Sequence, residues 1–82
     1  MITNNSTLQE LYNYAIASAR DLESGEVFIV RDLFRGFEWS RLPRGQRIKL
    51  GSMFFAYVQG SAFNEYEELD KTPQNQQKYR KR

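Results

Sequence analysis

The sequence predicts an α+β fold of three helices and a small antiparallel sheet, the sheet built from one short strand and a C-terminal hairpin. Three observations lead there. Apolar residues recur at spacings of three and four from Leu8 to Leu22, the β-branched and aromatic run Val27-Phe28-Ile29-Val30 follows, and the charged segment Phe63 to Arg82 has turn residues at its middle. A period near 3.6 marks a helix with one buried face, whereas a short β-branched run suits the pleated surface of a sheet.

Ser6-Thr7-Leu8-Gln9-Glu10 offers two overlapping capping boxes, Ser6 with Gln9 or Thr7 with Glu10. The first helix is therefore expected from Leu8 to Glu23, with Leu8, Leu11, Tyr12, Ala15, Ile16, Ala19 and Leu22 as its inward stripe and Gly25 as the left-handed residue that ends it. Met1 to Asn5 is expected to fray. The strand at Val27 to Val30 needs partners, and the C-terminal hairpin is the remaining segment with strand character.

Arg31-Asp32-Leu33-Phe34-Arg35 fits a short second helix closed by Gly36, with Leu33 and Phe34 inward. Phe37 to Pro43 then joins it to the third helix, Trp39 plugging the corner and Pro43 suited to a first helical turn. From Arg44 to Gln59 the helical wheel places Ile48, Leu50, Gly51, Met53, Phe54, Phe55, Tyr57 and Val58 inward. Outside remains a narrow stripe of small residues and few charges: Gly45, Lys49, Ser52, Ala56 and Gln59. Gly51 is expected to allow close packing against the first helix, and Gly60 to end the third.

The hairpin turns at Thr72-Pro73-Gln74-Asn75. Folded symmetrically about Gln74, it sets Leu69 opposite Tyr79, Asp70 opposite Lys78, Glu68 opposite Arg80 and Glu67 opposite Lys81. One apolar pair and three opposite charges agree on that register, although exposed pairs of this kind contribute only about 0.2–1 kcal/mol each.

The chain has 82 residues, 40% of them hydrophobic and 15% aromatic, enough for one domain over residues 1–82 and close to the lower limit for a core without staples. Cysteine and histidine are both absent, which removes disulfides, thiolate chemistry, the commonest metal ligands and the usual general base. No nucleophile sits beside an activating base, the glycines form no phosphate loop, and Glu65, Glu67 and Glu68 make no acid–base pair, so neither enzymatic activity nor a cofactor is expected. No apolar run reaches membrane-span length and the N-terminus does not look like a secretion signal, so the expected location is cytoplasmic.

The net charge of +2 is unevenly distributed. Residues 1–30 set Arg20 against Glu10, Asp21, Glu23 and Glu26, a balance of −3. Residues 31–60 set Arg31, Arg35, Arg41, Arg44, Arg47 and Lys49 against Asp32 and Glu38, a balance of +4. Cations gathered on one region of a small scaffold suggest a polyanion as partner.

The order helix, strand, short helix, long helix, strand, turn, strand resembles the winged helix-turn-helix class. That resemblance implies that the third helix enters the major groove and that a wing from Lys71 to Lys78 contacts the backbone or minor groove. Phosphate anchoring then falls to Arg41, Arg44, Arg47 and Lys78, base contacts to Gln46, Lys49, Ser52 and Gln59, with Lys71 and Arg82 at the wing and tail. Arg31 and Arg35 either extend the patch or pair with Asp32 and Glu38. Lys78, Arg80 and Lys81 either clamp the backbone or spend their charge on the facing acids of the hairpin.

The strings Val30-Arg31-Asp32-Leu33-Phe34-Arg35-Gly36, Trp39, Leu42-Pro43-Arg44-Gly45, Leu50-Gly51, Phe54-Phe55 and Lys71-Thr72-Pro73 also resemble an uncharacterised family of small proteins from Gram-positive bacteria, phages and mobile elements. The expectation from both readings is a small DNA-binding transcriptional or replication accessory factor, binding double-stranded DNA as a homodimer. The alternative is a non-enzymatic module on the same scaffold that binds a host or phage protein.

Overall fold

The computed structural model describes residues 2, 3 and 5–82. Its elements run α1 (Leu8–Arg20), β1 (Val27–Phe28), a 3-10 helix (Val30–Leu33), α2 (Gly36–Ser40), α3 (Arg44–Gln59), β2 (Tyr66–Lys71) and β3 (Gln77–Lys81). The three strands form one antiparallel sheet in the order β1-β3-β2, so β1 pairs with the hairpin as expected.

Of the two capping boxes, Thr7 with Glu10 forms. The Glu10 N–H donates to Thr7 Oγ1 at 3.1 Å and the Thr7 N–H to Glu10 Oε1 at 2.9 Å, satisfying two donors that the first turn leaves without helical partners. Ser6 is buried and accepts the Thr3 N–H instead. Leu11, Ala15 and Ala19 bury the apolar stripe of α1, which packs along α3. The helix stops at Arg20, short of the expected Glu23, and Gly25 lies in the turn beyond it at φ 92° with its N–H on the Lys81 carbonyl.

The second helix lies later in the chain than its sequence suggested. Leu33 and Phe34 are buried as expected, but Val30–Leu33 closes only a 3-10 turn and Phe34 is extended. Gly36, expected to end a helix, begins α2. The cause is Glu38: its carboxylate accepts the Arg35 N–H at 3.2 Å, the Tyr14 hydroxyl at 2.9 Å and the Ile2 N–H at 3.2 Å. Those bonds cap α2 and tie three segments together around a carboxylate only 2% exposed. Ile2, within the stretch expected to fray, is therefore anchored and buried, while Met1 and Asn4 lie outside the described residues.

The core is aromatic at its centre. Phe54 of α3 meets Tyr79 edge-on at 5.3 Å between centroids, and Phe28 of β1 stacks on Tyr79 at 5.6 Å and meets Tyr66 at 5.7 Å. Offset and edge-to-face pairs of this kind add about 0.5–1.5 kcal/mol each beyond the area they bury. The hairpin register follows from that core. Lys71 pairs with Gln77, as symmetry about Gln74 predicts, but a bulge follows, and beyond it Glu68 faces Tyr79, Glu67 faces Arg80 and Tyr66 faces Lys81. Directly opposed residues share a sheet face, so this shift of one residue turns Tyr66 to the same side as Tyr79. In the symmetric register Tyr66 would point away from the core. The bulge leaves the Leu69 carbonyl out of the ladder, where the Gln77 side-chain amide donates to it.

No helix among the described residues is long and apolar enough to cross a membrane.

Candidate nucleic-acid interface

The outer face of α3 carries Arg44, Lys49, Ser52 and Gln59, four of the ten expected residues. Gly45, Lys49, Ser52, Ala56 and Gln59 are all exposed, the stripe that the helical period predicts, and Arg44 is exposed at its start. Ile48, expected inward, joins them at 60% exposure. Burial runs instead through Leu50, Phe54 and Val58, which is a narrower face than the apolar content suggested. Residues 39–64 contain Arg41, Arg44, Arg47 and Lys49 and no carboxylate, so this wall carries cations alone.

Between α3 and the hairpin tip lies a cleft of about 530 Å³. Arg47, Ile48, Gly51, Ser52 and Phe55 form its α3 side, Lys71, Gln76 and Gln77 its hairpin side, with Val30, Arg31 and Trp39 closing one end. Arg31, which the sequence left undecided, thus joins the basic group. Gly51 faces this cleft and not α1: a Cβ built on it meets no atom within 4 Å.

The remaining expected residues are distributed as follows. Arg41 is exposed but directed back to the N-terminus, donating to the Ile2 carbonyl at 2.9 Å with its guanidinium 4.9 Å over the Phe37 ring. Arg47 is half-buried over Trp39 and reaches the Ser40 carbonyl at 3.5 Å. The Gln46 side chain donates to the Ser6 carbonyl at 3.4 Å, turned toward the start of α1 and away from the outer wall. Gln59 sits at the far end of α3, about 22 Å from Arg44 at 1.5 Å per residue.

Alternation along β3 turns Lys78 and Arg80 to the sheet face opposite Tyr79, away from the cleft. Arg80 meets Glu67 at 3.2 Å on that face, and it forms the only ion pair within 4.0 Å among the described residues. The expected pairings of Lys78 with Asp70, Arg80 with Glu68 and Lys81 with Glu67 are thereby replaced, Lys81 lying 4.9 Å over the Tyr66 ring. Arg82, at the opposite end of β3 from the turn, donates to the Phe63 carbonyl at 3.2 Å.

The cleft brings together Arg31, Arg47, Ser52 and Lys71, Arg44 and Lys49 are exposed on α3, and Lys78 and Arg82 lie elsewhere. Sequence reasoning missed the part played by Ile48 and Gln76, which line the cleft through the packing of α3 against the hairpin tip, a relation that no local pattern in the sequence signals.

No curated protein and no solved structure matches the chain. Residues 13–81 match the family described as a domain of unknown function, DUF1413, and the chain belongs to that family.

Proposed function

We propose that this protein is a small winged helix-turn-helix DNA-binding factor that lays the outer face of α3 and the hairpin tip against a duplex. The observation that carries the reading is the carboxylate-free wall itself: Arg44 and Lys49 exposed on α3, with Lys71 across the cleft. Charge of one sign gathered on one face of a basic chain is the electrostatic footprint of a polyanion partner. The layout adds support, since α2 and α3 are joined by the three-residue turn 41–43, within the span that helix-turn-helix pairs use.

The small side chains of Gly45, Ser52 and Ala56 allow close approach, while Arg44 and Lys49 bind phosphates whatever the sequence. Base contacts are few, so affinity depends chiefly on the backbone. A single module of this size covers little DNA, which favours a homodimer across two half-sites. The setting implied by the sequence resemblance is a phage or mobile element of Gram-positive bacteria, where such a factor serves transcription or replication.

The test is duplex binding measured at several salt concentrations. Affinity should fall steeply with salt, and Arg44→Ala and Lys49→Ala should each make the logarithmic slope shallower by about 0.9. Absence of binding to any duplex at low salt refutes the reading. One observation favours a second reading, docking of another protein: Ile48, an aliphatic side chain on the same wall, is 60% exposed.

A further inference from the structure

β2 is an edge strand: with the sheet ordered β1-β3-β2, its side away from β3 pairs with no other strand. Which backbone groups face that side follows from the ladder. The Lys81 N–H donates to the Glu26 carbonyl at 2.9 Å and the Lys81 carbonyl accepts the Gly25 N–H at 2.6 Å, so Lys81 bonds toward the β1 side. Arg82 bonds the other way, its N–H donating to the Glu65 carbonyl at 2.9 Å. Successive residues of an antiparallel strand point their backbone groups to alternate edges, so Arg80 and the opposed Glu67 bond to each other, and Tyr66 and Glu68 direct theirs outward. The Tyr66 N–H is taken by the Ala62 carbonyl at 3.1 Å. The Tyr66 carbonyl and both backbone groups of Glu68 remain, and among the described residues no loop or turn backbone bonds to them.

Unpaired groups at a sheet edge are a template for an added strand. The bulge beyond Glu68 ends the regular run, so the template is short and side chains have to supply the rest of the affinity. They also specify the occupant. Glu65, Glu68 and Asp70 are exposed, and none forms an ion pair within 4.0 Å among the described residues. A duplex is repelled by such a row, and a second copy pairing edge to edge would set carboxylate against carboxylate. A basic segment is attracted. At the Tyr66 end the edge borders an open concavity of about 280 Å³ lined by Val58, Phe63 and Tyr66 with Glu67, Glu68 and Arg82, where Phe63 is 59% exposed. That concavity suits an apolar side chain.

We propose that the free edge of β2 is a docking site for an extended basic segment of another protein, which adds antiparallel to it with a lysine or arginine opposite Glu68 and a bulky apolar residue two positions on, opposite Tyr66. Directly opposed residues, and residues two apart on one strand, share a sheet face, so this spacing sets the cation beside the Glu68 carboxylate and the apolar group over the concavity. The surface uses none of the residues of the proposed DNA wall, and its test stands apart from that of the DNA reading.

The experiment titrates the intact chain with the capped peptide Lys-Thr-Lys-Thr-Leu, followed by amide chemical shifts at low salt without DNA. Two controls isolate the two contributions. Glutamine in place of both lysines removes the charge, whereas N-methylation of the central lysine and the leucine keeps every side chain and removes the N–H groups that face Glu68 and Tyr66. The parent peptide should shift Tyr66, Glu67, Glu68 and Leu69, leave Gly45 and Ser52 unmoved, and bind about tenfold more tightly than either control. Glu68→Gln should weaken it severalfold at an unchanged melting temperature. Glu68→Pro removes an outward N–H and no ladder bond, a change that edge strands tolerate, and should abolish the shifts. Equal binding of the N-methylated peptide, shifts centred instead on Asp21, Glu23 and Glu26, parental affinity in Glu68→Gln, or no shift at all overturns the proposal. So does a dimer formed through the same amides without peptide, which would make a second copy the occupant.

Discussion

Arg47 lies 5.6 Å above the Trp39 ring and so ties the first turns of α3 to α2 across the corner between them. The contact divides the basic residues of α3 by role. Arg47 is part of the scaffold as well as of the cleft, whereas Arg44 and Lys49 stand in solvent. Truncating Arg47 to alanine should lower stability by about 0.5–1 kcal/mol through the lost cation–π contact. Arg44→Ala should stay within about 0.5 kcal/mol of the parent. Urea unfolding of the two variants checks the difference, and equal stabilities would remove the scaffold role of Arg47.

Glu38 gives the fold its acid sensitivity. Burial pushes its carboxyl up, but the hydrogen bonds from Tyr14, Ile2 and Arg35, with the Arg35 charge, outweigh burial and hold it below its ordinary value of 4.5. A carboxyl depressed in the folded state contributes stability that is present above its unfolded value and lost as pH falls through the folded one. Stability should therefore decline below about pH 4.5, with Glu10, lowered by its Thr7 hydrogen bonds, adding to the loss. Glu38→Ala, which leaves three donors unmet, should cost about 2–4 kcal/mol at neutral pH and flatten the acid limb, as measured by denaturation across pH.

At the alkaline end the controlling groups are Tyr66 and Tyr79. Burial raises both hydroxyls to about 12 from the ordinary 10.0. Because the neutral form is favoured in the folded state, the associated stability is complete below pH 10 and disappears as pH rises toward 12. Ultraviolet titration should show the Tyr66 and Tyr79 hydroxyls ionising late, together with unfolding, and Tyr14, raised by burial and by its bond to Glu38, also above its ordinary value. Tyr79→Phe should remove one of the hydroxyls that ionise at about 12.

The hairpin register predicts a specific pattern of coupling. Double-mutant cycles between Glu67 and Arg80 should give about 0.2–1 kcal/mol, screened by salt, while cycles between Glu68 and Arg80 should give close to zero. The reverse pattern would restore the symmetric register and contradict the bulge.

Local chemistry made much of this molecule legible. The Thr7 and Glu10 cap, the inward stripe of α1 and the five small or polar residues on the outside of α3 all depend on neighbours within a turn or two, and periodicity reads them directly. The start of α2 was not legible, because Glu38 caps it while holding Ile2 and Tyr14, partners 36 and 24 residues away. The bulge was hidden for a similar reason: charge pairing along β2 and β3 favours one register, and the requirement that Tyr66 join Phe28, Phe54 and Tyr79 imposes another. Burial of a large aromatic side chain, at about 1.5–3 kcal/mol or more, outweighs exposed ion pairs of a fraction of that size. At the candidate site, Arg47, Ser52 and Lys71 lie around one cleft, with Arg44 and Lys49 exposed on α3. Lys78 lies on the other face of the sheet, because strand alternation, fixed by the burial of Tyr79, turns it away from the cleft.

The most direct measurement is an amide-shift map of the chain on adding a short duplex at low salt. The account predicts perturbation of Arg44, Gly45, Lys49 and Ser52 on α3 together with Lys71 and Gln76 at the hairpin tip, and little change along the exposed side of α1 at Asn13 and Ala17. Shifts confined to Lys78, Arg80 and Arg82, or no shifts at all, would contradict it.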